Sequence, residues 1–381
     1  MRKSILLTVL LGVSVFVAVP ARAATLNQVT GFGSNPGNLA MYHYKPDGLA
    51  NGHALVVLLH GCTQNASGYF ANSGWRKFAD QHGFALLLPQ QASSNNALSC
   101  FNWFQAGDIA RGQGEALSIR NMVGYAVSNL GASGSRVFVS GLSAGGAMTS
   151  VMLATYPDVF KAGSIAAGLA YKCSTACQSM PPDQTPAQWG DLVRGAFPGY
   201  TGAYPRVAVW QGTSDTTVTP ANATELRDQW TNVRGVSATP TSTSTLPGGT
   251  SLEVYGSTDD VRVYRISGMG HGLPVDPGSG ATQCGTAASY FLDTICSAYY
   301  DTVFFGLAAG GPPPSPSPTP SPTATPTCVT SSNYQHTVAG RAYHSLGYTY
   351  ANGSNQNMGL WNTFNTTTLR QTGPNYWIIG C

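Results

Sequence analysis

At 381 residues the chain is too long for one ordinary small domain and has room for a large core plus an appendage. Only 9% of its residues are charged, against 45 Gly and 24 Pro, and the formal net charge is +3. So small a surplus, with no Lys/Arg-rich run, excludes a nucleic-acid footprint.

Met1-Arg2-Lys3, the apolar stretch from Ile5 to Val19 and the small-residue Pro20-Ala21-Arg22-Ala23 form the three parts of a secretory signal peptide over residues 1–23. The apolar run is short for an anchor and no later segment is long enough to span a bilayer. The mature chain is therefore expected to be exported and free of the membrane. Export makes the even set of eight cysteines a disulfide set, and no spacing resembles metal ligands. Sequence order suggests Cys62 with Cys100, Cys173 with Cys177, Cys284 with Cys296, and Cys328 with Cys381, the last bracketing a C-terminal module.

Residues 24–308 read as one α/β domain. From Ala24 to Pro46 the chain is polar and β-prone and fits a hairpin at a sheet edge. Leu55-Val-Val-Leu-Leu59 is a continuous apolar run of the kind covered on both faces, and it leads into His60-Gly61-Cys62. A helix is expected from about Ala71 to His82, capped by Gly83, before a second buried strand, Phe84 to Leu88. Ile119, Met122, Val123, Ala126, Val127 and Leu130 recur at helical spacing from Glu115 to Leu130, with Gly131 closing the helix. Arg136 to Ser140 is another buried strand, and Ala162–Ala166, Val207–Trp210 and Val261–Ile266 continue the alternation. Strands separated by amphipathic helices imply βαβ units and a doubly wound, mostly parallel sheet. Cys173 to Tyr204 reads as an irregular insertion at the active-site rim, and a last helix is expected through Tyr290 to Phe305.

The strand from Arg136 ends in Gly141-Leu142-Ser143-Ala144-Gly145, and a helix should follow as far as Pro157. Glycines two residues either side of Ser143 give room for a tight turn that presents its Oγ at the carboxyl end of a sheet, the nucleophile elbow of an α/β-hydrolase. A serine needs a histidine to take its proton and a carboxylate to orient that histidine. His271, late in the chain and in the loop Gly268-Met269-Gly270-His271-Gly272, is the expected base. His43, His53 and His82 sit at polar edges, His60 is structural by position, and His336 and His344 lie in the other module. Asp215, in the loop after Val207–Trp210, falls between serine and base in the order this fold requires. Asp108 comes too early, and Asp259 and Asp260 precede a strand rather than follow one. The oxyanion donors are expected to be the backbone N–H groups of Ala144 and Cys62.

Residues 309–327 are nearly pure Pro, Ser and Thr from Gly310 onward, a composition that builds no core and serves as a spacer. Residues 328–381 form a short module rich in aromatics, among them Tyr334, Tyr343, Tyr348, Tyr350, Trp361, Phe364, Tyr376 and Trp377, which suggests an adhesive face with part of the set in its own core.

His60-Gly61-Cys62, Gly141 to Gly145, Gln211-Gly212-Thr213-Ser214-Asp215 and Gly268 to His271 together resemble the catalytic domain of extracellular polyhydroxybutyrate depolymerases, relatives of feruloyl and acetylxylan esterases. The stretch Asn333-Tyr-Gln-His336, Gly340-Arg-Ala-Tyr343, Ala351 to Asn355, and on to Thr368-Leu-Arg370 is similar to the substrate-binding domain of those enzymes. The resemblance implies a secreted serine esterase of the α/β-hydrolase fold that needs no cofactor and no metal. It implies action as a monomer on insoluble polyester that the module adsorbs through residues such as His336, Arg341, Tyr343 and Trp361, with Trp103 and Trp210 as candidates for the cleft. The chain departs from its relatives in following His271 with Gly272-Leu273-Pro274, where they often carry a bulkier aromatic. Rival expectations are an esterase of plant polysaccharide, a non-catalytic polymer-binding protein and, without a supporting feature, a peptidase.

Overall fold

The computed structural model describes residues 25–182, 184–308, 328–345, 347–373 and 376–381. The expected signal peptide and the spacer lie outside the described residues. These fall into two compact units, one on each side of the spacer.

The first unit runs β1 (Asn27–Val29), β2 (Ala40–Tyr44), β3 (His53–Leu59), α1 (Ala66–Asn72), α2 (Trp75–His82), β4 (Phe84–Gln90), α3 (Gly114–Asn129), β5 (Ala132–Leu142), α4 (Ala144–Thr155), β6 (Phe160–Ala166), α5 (Pro186–Arg194), β7 (Arg206–Gly212), α6 (Ala221–Arg234), β8 (Ser242–Leu246), β9 (Thr250–Tyr255), β10 (Val261–Ile266), β11 (Leu273–Val275), β12 (Phe291–Asp293) and α7 (Ser297–Phe304). Ten strands form one sheet in the order β1-β2-β4-β3-β5-β6-β7-β10-β9-β8. The central run β4-β3-β5-β6-β7-β10 is parallel, and both margins are antiparallel.

Alternation along β3 explains the two covering layers. Leu55, Val57 and Leu59 point into the cluster formed with α3, α4, α5 and α6, while Ala54, Val56 and Leu58 point into the opposite cluster with α1, α2 and α7. A strand buried on both faces therefore reads as an unbroken apolar run. Every residue of α4 is buried, which is why Ala144 to Thr155 shows no polar stripe.

Three expectations change. The helix expected over 71–82 is two helices broken at Ser73-Gly74. Gly74 takes φ +82, and a Cβ there would lie 2.4 Å from Cys284 Sγ, so the break makes room for the Cys284–Cys296 disulfide. The last helix begins only at Ser297, because Phe291 to Asp293 pairs in parallel with Leu273 to Val275. The 173–204 insertion is not irregular throughout. It holds α5, whose Thr185 cap and Gln188 make a reciprocal capping box, and Trp189 on that helix is fully buried.

The second unit has β13 (Cys328–Ser332), α8 (Asn333–Val338), β14 (Ala342–Ser345), β15 (Tyr348–Ala351), β16 (Asn357–Leu360), β17 (Thr366–Gly373) and β18 (Tyr376–Ile379), arranged as sheets β13-β17-β18 and β14-β15-β16. Its apolar core is small, with Ala342, Ala351, Met358, Leu369 and Trp377. The Cys328–Cys381 disulfide closes the ends over a separation of 53 residues. A loop of that length restricts the unfolded chain by about 4 kcal/mol in the chain-entropy view, a large share of what so little core supplies. The other three disulfides pair Cys62–Cys100, Cys173–Cys177 and Cys284–Cys296.

Candidate active site

Ser143 occupies the turn between β5 and α4 with φ 56 and ψ −118, a conformation that costs a non-glycine residue on the order of 1–3 kcal/mol. Its neighbours make it possible. A Cβ on Gly141 would lie 2.3 Å from Gly145 O, and one on Gly145 would lie 2.1 Å from Leu59 O. Ser143 N–H donates to Ala166 O at 2.9 Å, tying the turn to the next strand.

His271 reaches the serine from the loop after β10. Its Nε2 lies 2.9 Å from Ser143 Oγ and its Nδ1 lies 2.8 Å from Asp215 Oδ2. Because the carboxylate only accepts, Nδ1 carries the proton and Nε2 is left to accept from the hydroxyl. Asp215 is buried, and its Oδ1 accepts from Thr217 N–H and Val218 N–H, both at 2.9 Å, while Gln211 Nε2 approaches Oδ2 at 3.3 Å. Those donors hold the carboxylate in one orientation. Acid loop and base loop are also joined to each other: Ser214 N–H donates to Met269 O at 3.0 Å and Gly268 N–H to Thr213 Oγ1 at 2.9 Å. A Cβ on Gly212 would lie 2.2 Å from Met269 O, so the two loops pack backbone to backbone.

The other acids are engaged elsewhere. Asp108 accepts from Glu115 N–H at the start of α3, Asp259 pairs with Arg262 and Arg206, and Asp260 pairs with Arg234.

On the opposite side of Ser143 stands the loop after β3. A Cβ on Gly61 would come within 3.4 Å of Ser143 Cβ, so this loop abuts the nucleophile. The N–H groups of Cys62 and Ala144 have no acceptor among the described residues. His60 is buried, which lowers its pKa to about 4 and keeps the ring neutral. Its Nδ1 donates to Gly61 O at 2.8 Å, and its Nε2 accepts from Gln91 N–H at 3.1 Å.

The candidate binding residues separate. Trp210 is a correction: it is 1% exposed, stacks on Tyr264 with centroids 3.7 Å apart, and donates its indole N–H to Asp301. A residue in the middle of β7 with a partner for its only polar atom belongs to the core. Trp103 is also buried, edge-on to Phe104, and it is Phe104 that reaches solvent. His336 is a second correction. It is fully buried, with Nε2 on Thr367 O and Nδ1 accepting from Arg341 Nε, so both residues brace the fold of their unit. Tyr343 and Trp361 are exposed, and Trp361 stacks on His344 with centroids 4.1 Å apart.

Sequence reading missed Tyr290. Its ring stands edge-on to His271 at 6.2 Å, it is 45% exposed, and its φ is +65, rare for a bulky residue. It supplies an aromatic beside the base from a segment that reads as helix, although Gly272-Leu273-Pro274 brings none.

A parallel sheet wound on both faces, a strained serine at its carboxyl edge and a histidine bridging that serine to a buried carboxylate define the α/β-hydrolase class of fold and site. Residues 39–254 match the family described as Esterase PHB depolymerase. The chain is 51% identical over 292 residues to poly(3-hydroxyalkanoate) depolymerase C of Paucimonas lemoignei, covering 74% of this chain and 70% of that one. It is 41% identical over 265 residues to an acetylxylan esterase of Coprinopsis cinerea (66% and 70%) and 38% identical over 267 residues to feruloyl esterase B of Talaromyces stipitatus (67% and 74%). The structure of an acetyl xylan esterase from Aspergillus awamori superposes with TM-score 0.65 at 29% identity, over 74% of this chain and all of that one. The chain belongs to the esterase PHB depolymerase family and is a carboxylic ester hydrolase.

Proposed function

We propose that the protein is a secreted depolymerase that cleaves the ester bonds of poly(3-hydroxyalkanoate)-type polyester through an acyl-enzyme at Ser143. The observation that carries the mechanism is the unbroken line from Ser143 Oγ through His271 to Asp215. Ser143 Oγ attacks the ester carbonyl as its proton passes to His271 Nε2, and Asp215 stabilises the imidazolium. The tetrahedral oxyanion is received by the free N–H groups of Ala144 and Cys62, the former at the positive end of α4. The alcohol leaves with the proton from His271, and a water activated by the same ring releases the acid.

The polymer reading rests on the 51% identical relative and on where apolar surface lies. Leu98, Phe104 and Met180 are exposed large apolar side chains on segments leaving the carboxyl ends of β4 and β6, the edge that bears Ser143, and exposed Tyr290, just before β12, stands beside His271. In the second unit Tyr334, Tyr343, Tyr348, Trp361 and Phe364 are exposed, Phe364 to 88%. Such a face adsorbs to apolar solid, and the spacer keeps the hydrolase at high local concentration over it.

Purified protein incubated with polyhydroxybutyrate granules should release soluble hydroxyacids, and Ser143→Ala protein should release none. If soluble esters and feruloylated or acetylated xylan are cleaved while granules are untouched, the substrate moves to plant polysaccharide, in line with the relatives of 41% and 38% identity.

A further inference from the structure

A buried polar chain leads away from the oxyanion loop that the ester chemistry does not use. Glu115, at the first turn of α3, is 1% exposed. One carboxyl oxygen accepts from Gln91 Nε2 and the other from Asn102 N–H at 2.9 Å. Gln91 is buried too, and each of its polar groups is used: Nε2 also donates to Cys100 O at 3.1 Å, and Oε1 accepts from Ala92 N–H at 2.9 Å and Asn95 Nδ2 at 2.7 Å. Its backbone N–H meets His60 Nε2, and His60 Nδ1 holds Gly61 O. A trans peptide points its N–H opposite to its C=O, so the bond that fixes Gly61 O fixes the direction of the Cys62 N–H. The same carboxyl group, through Asn102 and Gln91, secures the segment of Cys100, whose disulfide partner is Cys62.

We propose that Glu115 and Gln91 are positioning residues of the oxyanion hole, holding the Cys62 N–H on the reaction axis from two directions: through the His60 ring and Gly61 carbonyl, and through the Cys100 segment and its disulfide. The inference rests on the reading of Cys62 N–H as an oxyanion donor. A buried carboxyl group is an expensive anchor, since burial pushes its pKa up to about 8, and a satisfied core needs none there. What it supplies when ionised, above about pH 8, is two acceptor oxygens in a fixed plane, where an amide has one. In Glu115→Gln the amide nitrogen must face either Gln91 Nε2 or Asn102 N–H, donor against donor. Gln91 cannot turn to help, because its own oxygen already accepts two bonds.

The test measures kcat and KM at about pH 9, where Glu115 is ionised, on a soluble p-nitrophenyl ester, with kcat expressed per site counted by exhaustive fluorophosphonate labelling of Ser143. Loss of an oxyanion donor costs about 10²–10³ in kcat, so a displaced one in Glu115→Gln is expected to cost about ten- to a hundred-fold, with KM within two-fold. The exchange Glu115→Gln with Gln91→Glu restores the contact between the two side chains: the amide at 115 donates to the carboxylate at 91, which still accepts from Ala92 and Asn95, although its second oxygen now faces Cys100 O, acceptor against acceptor. This double variant should regain part of the kcat lost by the single one, since the support through His60 returns while that through Cys100 does not, and affinity for a trifluoromethyl ketone, which forms a tetrahedral adduct, should track kcat/KM across the set. Wild-type kcat per labelled site in Glu115→Gln, with only the number of folded sites reduced, would show a structural role and overturn the proposal. So would a double variant no better than the single one. Hydrolysis surviving in Ser143→Ala would instead remove the reading on which the inference rests.

Discussion

Replacing Asp215 with Asn tests whether the carboxylate acts by holding one tautomer of His271. The substitution conserves shape but replaces one oxygen with an NH2. If the amide oxygen keeps the two bonds from Thr217 N–H and Val218 N–H, the NH2 faces His271 Nδ1. Nδ1 must then accept, the ring proton moves to Nε2, and Nε2 can no longer take the proton of Ser143. The opposite flip restores the tautomer but sets the NH2 against two backbone donors in a buried site, at about 2–6 kcal/mol for two buried groups left unpaired. Shifting a neutral imidazole between tautomers costs less, so the inactive form prevails. The expected fall in kcat is about ten-thousand-fold, or about 5.4 kcal/mol at 1.36 kcal/mol per factor of ten. The assay is hydrolysis of p-nitrophenyl butyrate at neutral pH, with KM and the urea midpoint measured alongside. A loss below ten-fold, or one carried by KM, would refute the tautomer argument.

Three further outcomes follow from the packing. Trp361→Ala with Phe364→Ala removes exposed aromatic surface from the second unit, so granule hydrolysis should drop several-fold while kcat/KM on soluble ester stays within two-fold; a parallel loss on both substrates would exclude an adhesive role. Gly145→Ala puts a methyl group 2.1 Å from Leu59 O, where backbone must yield, and should lower stability by at least about 2 kcal/mol in urea titration. Asp301 is fully buried and its pKa is raised to about 7 by desolvation, so the folded state holds a proton that the unfolded state releases near pH 4. Its contribution is fully present below about pH 4 and is lost as pH rises through about 7; Asp301→Asn, which still accepts from Trp210, should flatten stability over that window, and an unchanged slope would assign it to another group.

The mostly parallel sheet, the elbow and the grouping of Ser143, Asp215 and His271 were open to sequence reading because each has a local cause. An apolar run on β3, glycines flanking Ser143 and a loop residue after β7 or β10 are properties of a few adjacent positions. What escaped reading depends on contacts distant in sequence. Gly74 breaks a helix because Cys284 lies against it, more than two hundred residues on. Trp210, proposed for the cleft, and His336, proposed for the adsorbing face through the resemblance, are both buried, and Asp301 and Arg341 bond their polar atoms inside. Tyr290 adopts a backbone angle that its residue type disfavours, and nothing in a tyrosine announces it. Gln91 follows the end of β4, two residues past where the sequence ends that strand, and Glu115 opens a helix that the sequence shows, but their meeting beneath His60 is a tertiary fact.

Backbone strain has a location that follows from this division. Of the nine non-glycine residues with positive φ among the described ones, Thr63, Ser99, Ser143 and Ala167 lie on segments leaving the carboxyl ends of β3, β4, β5 and β6, and Tyr290, just before β12, stands beside His271. At on the order of 1–3 kcal/mol each, the catalytic edge holds strain comparable to the net stability of a domain. It persists because neighbouring bonds over-determine each residue. Thr63 N–H donates to Leu98 O beside the Cys62–Cys100 disulfide, Ala167 N–H donates to Trp210 O, and Tyr290 O accepts from Leu273 N–H. The buried Glu115 on α3 and Asp301 on α7 come from helices that cover opposite faces of the sheet, the first bonded beyond the end of β4 and the second to Trp210 on β7. Glu115 is the one whose bonds to Gln91 and Asn102 lead back to the loop of Cys62, and on the proposal above removing it should cost more in kcat than in folding, whereas Asp301 braces Trp210 in the core.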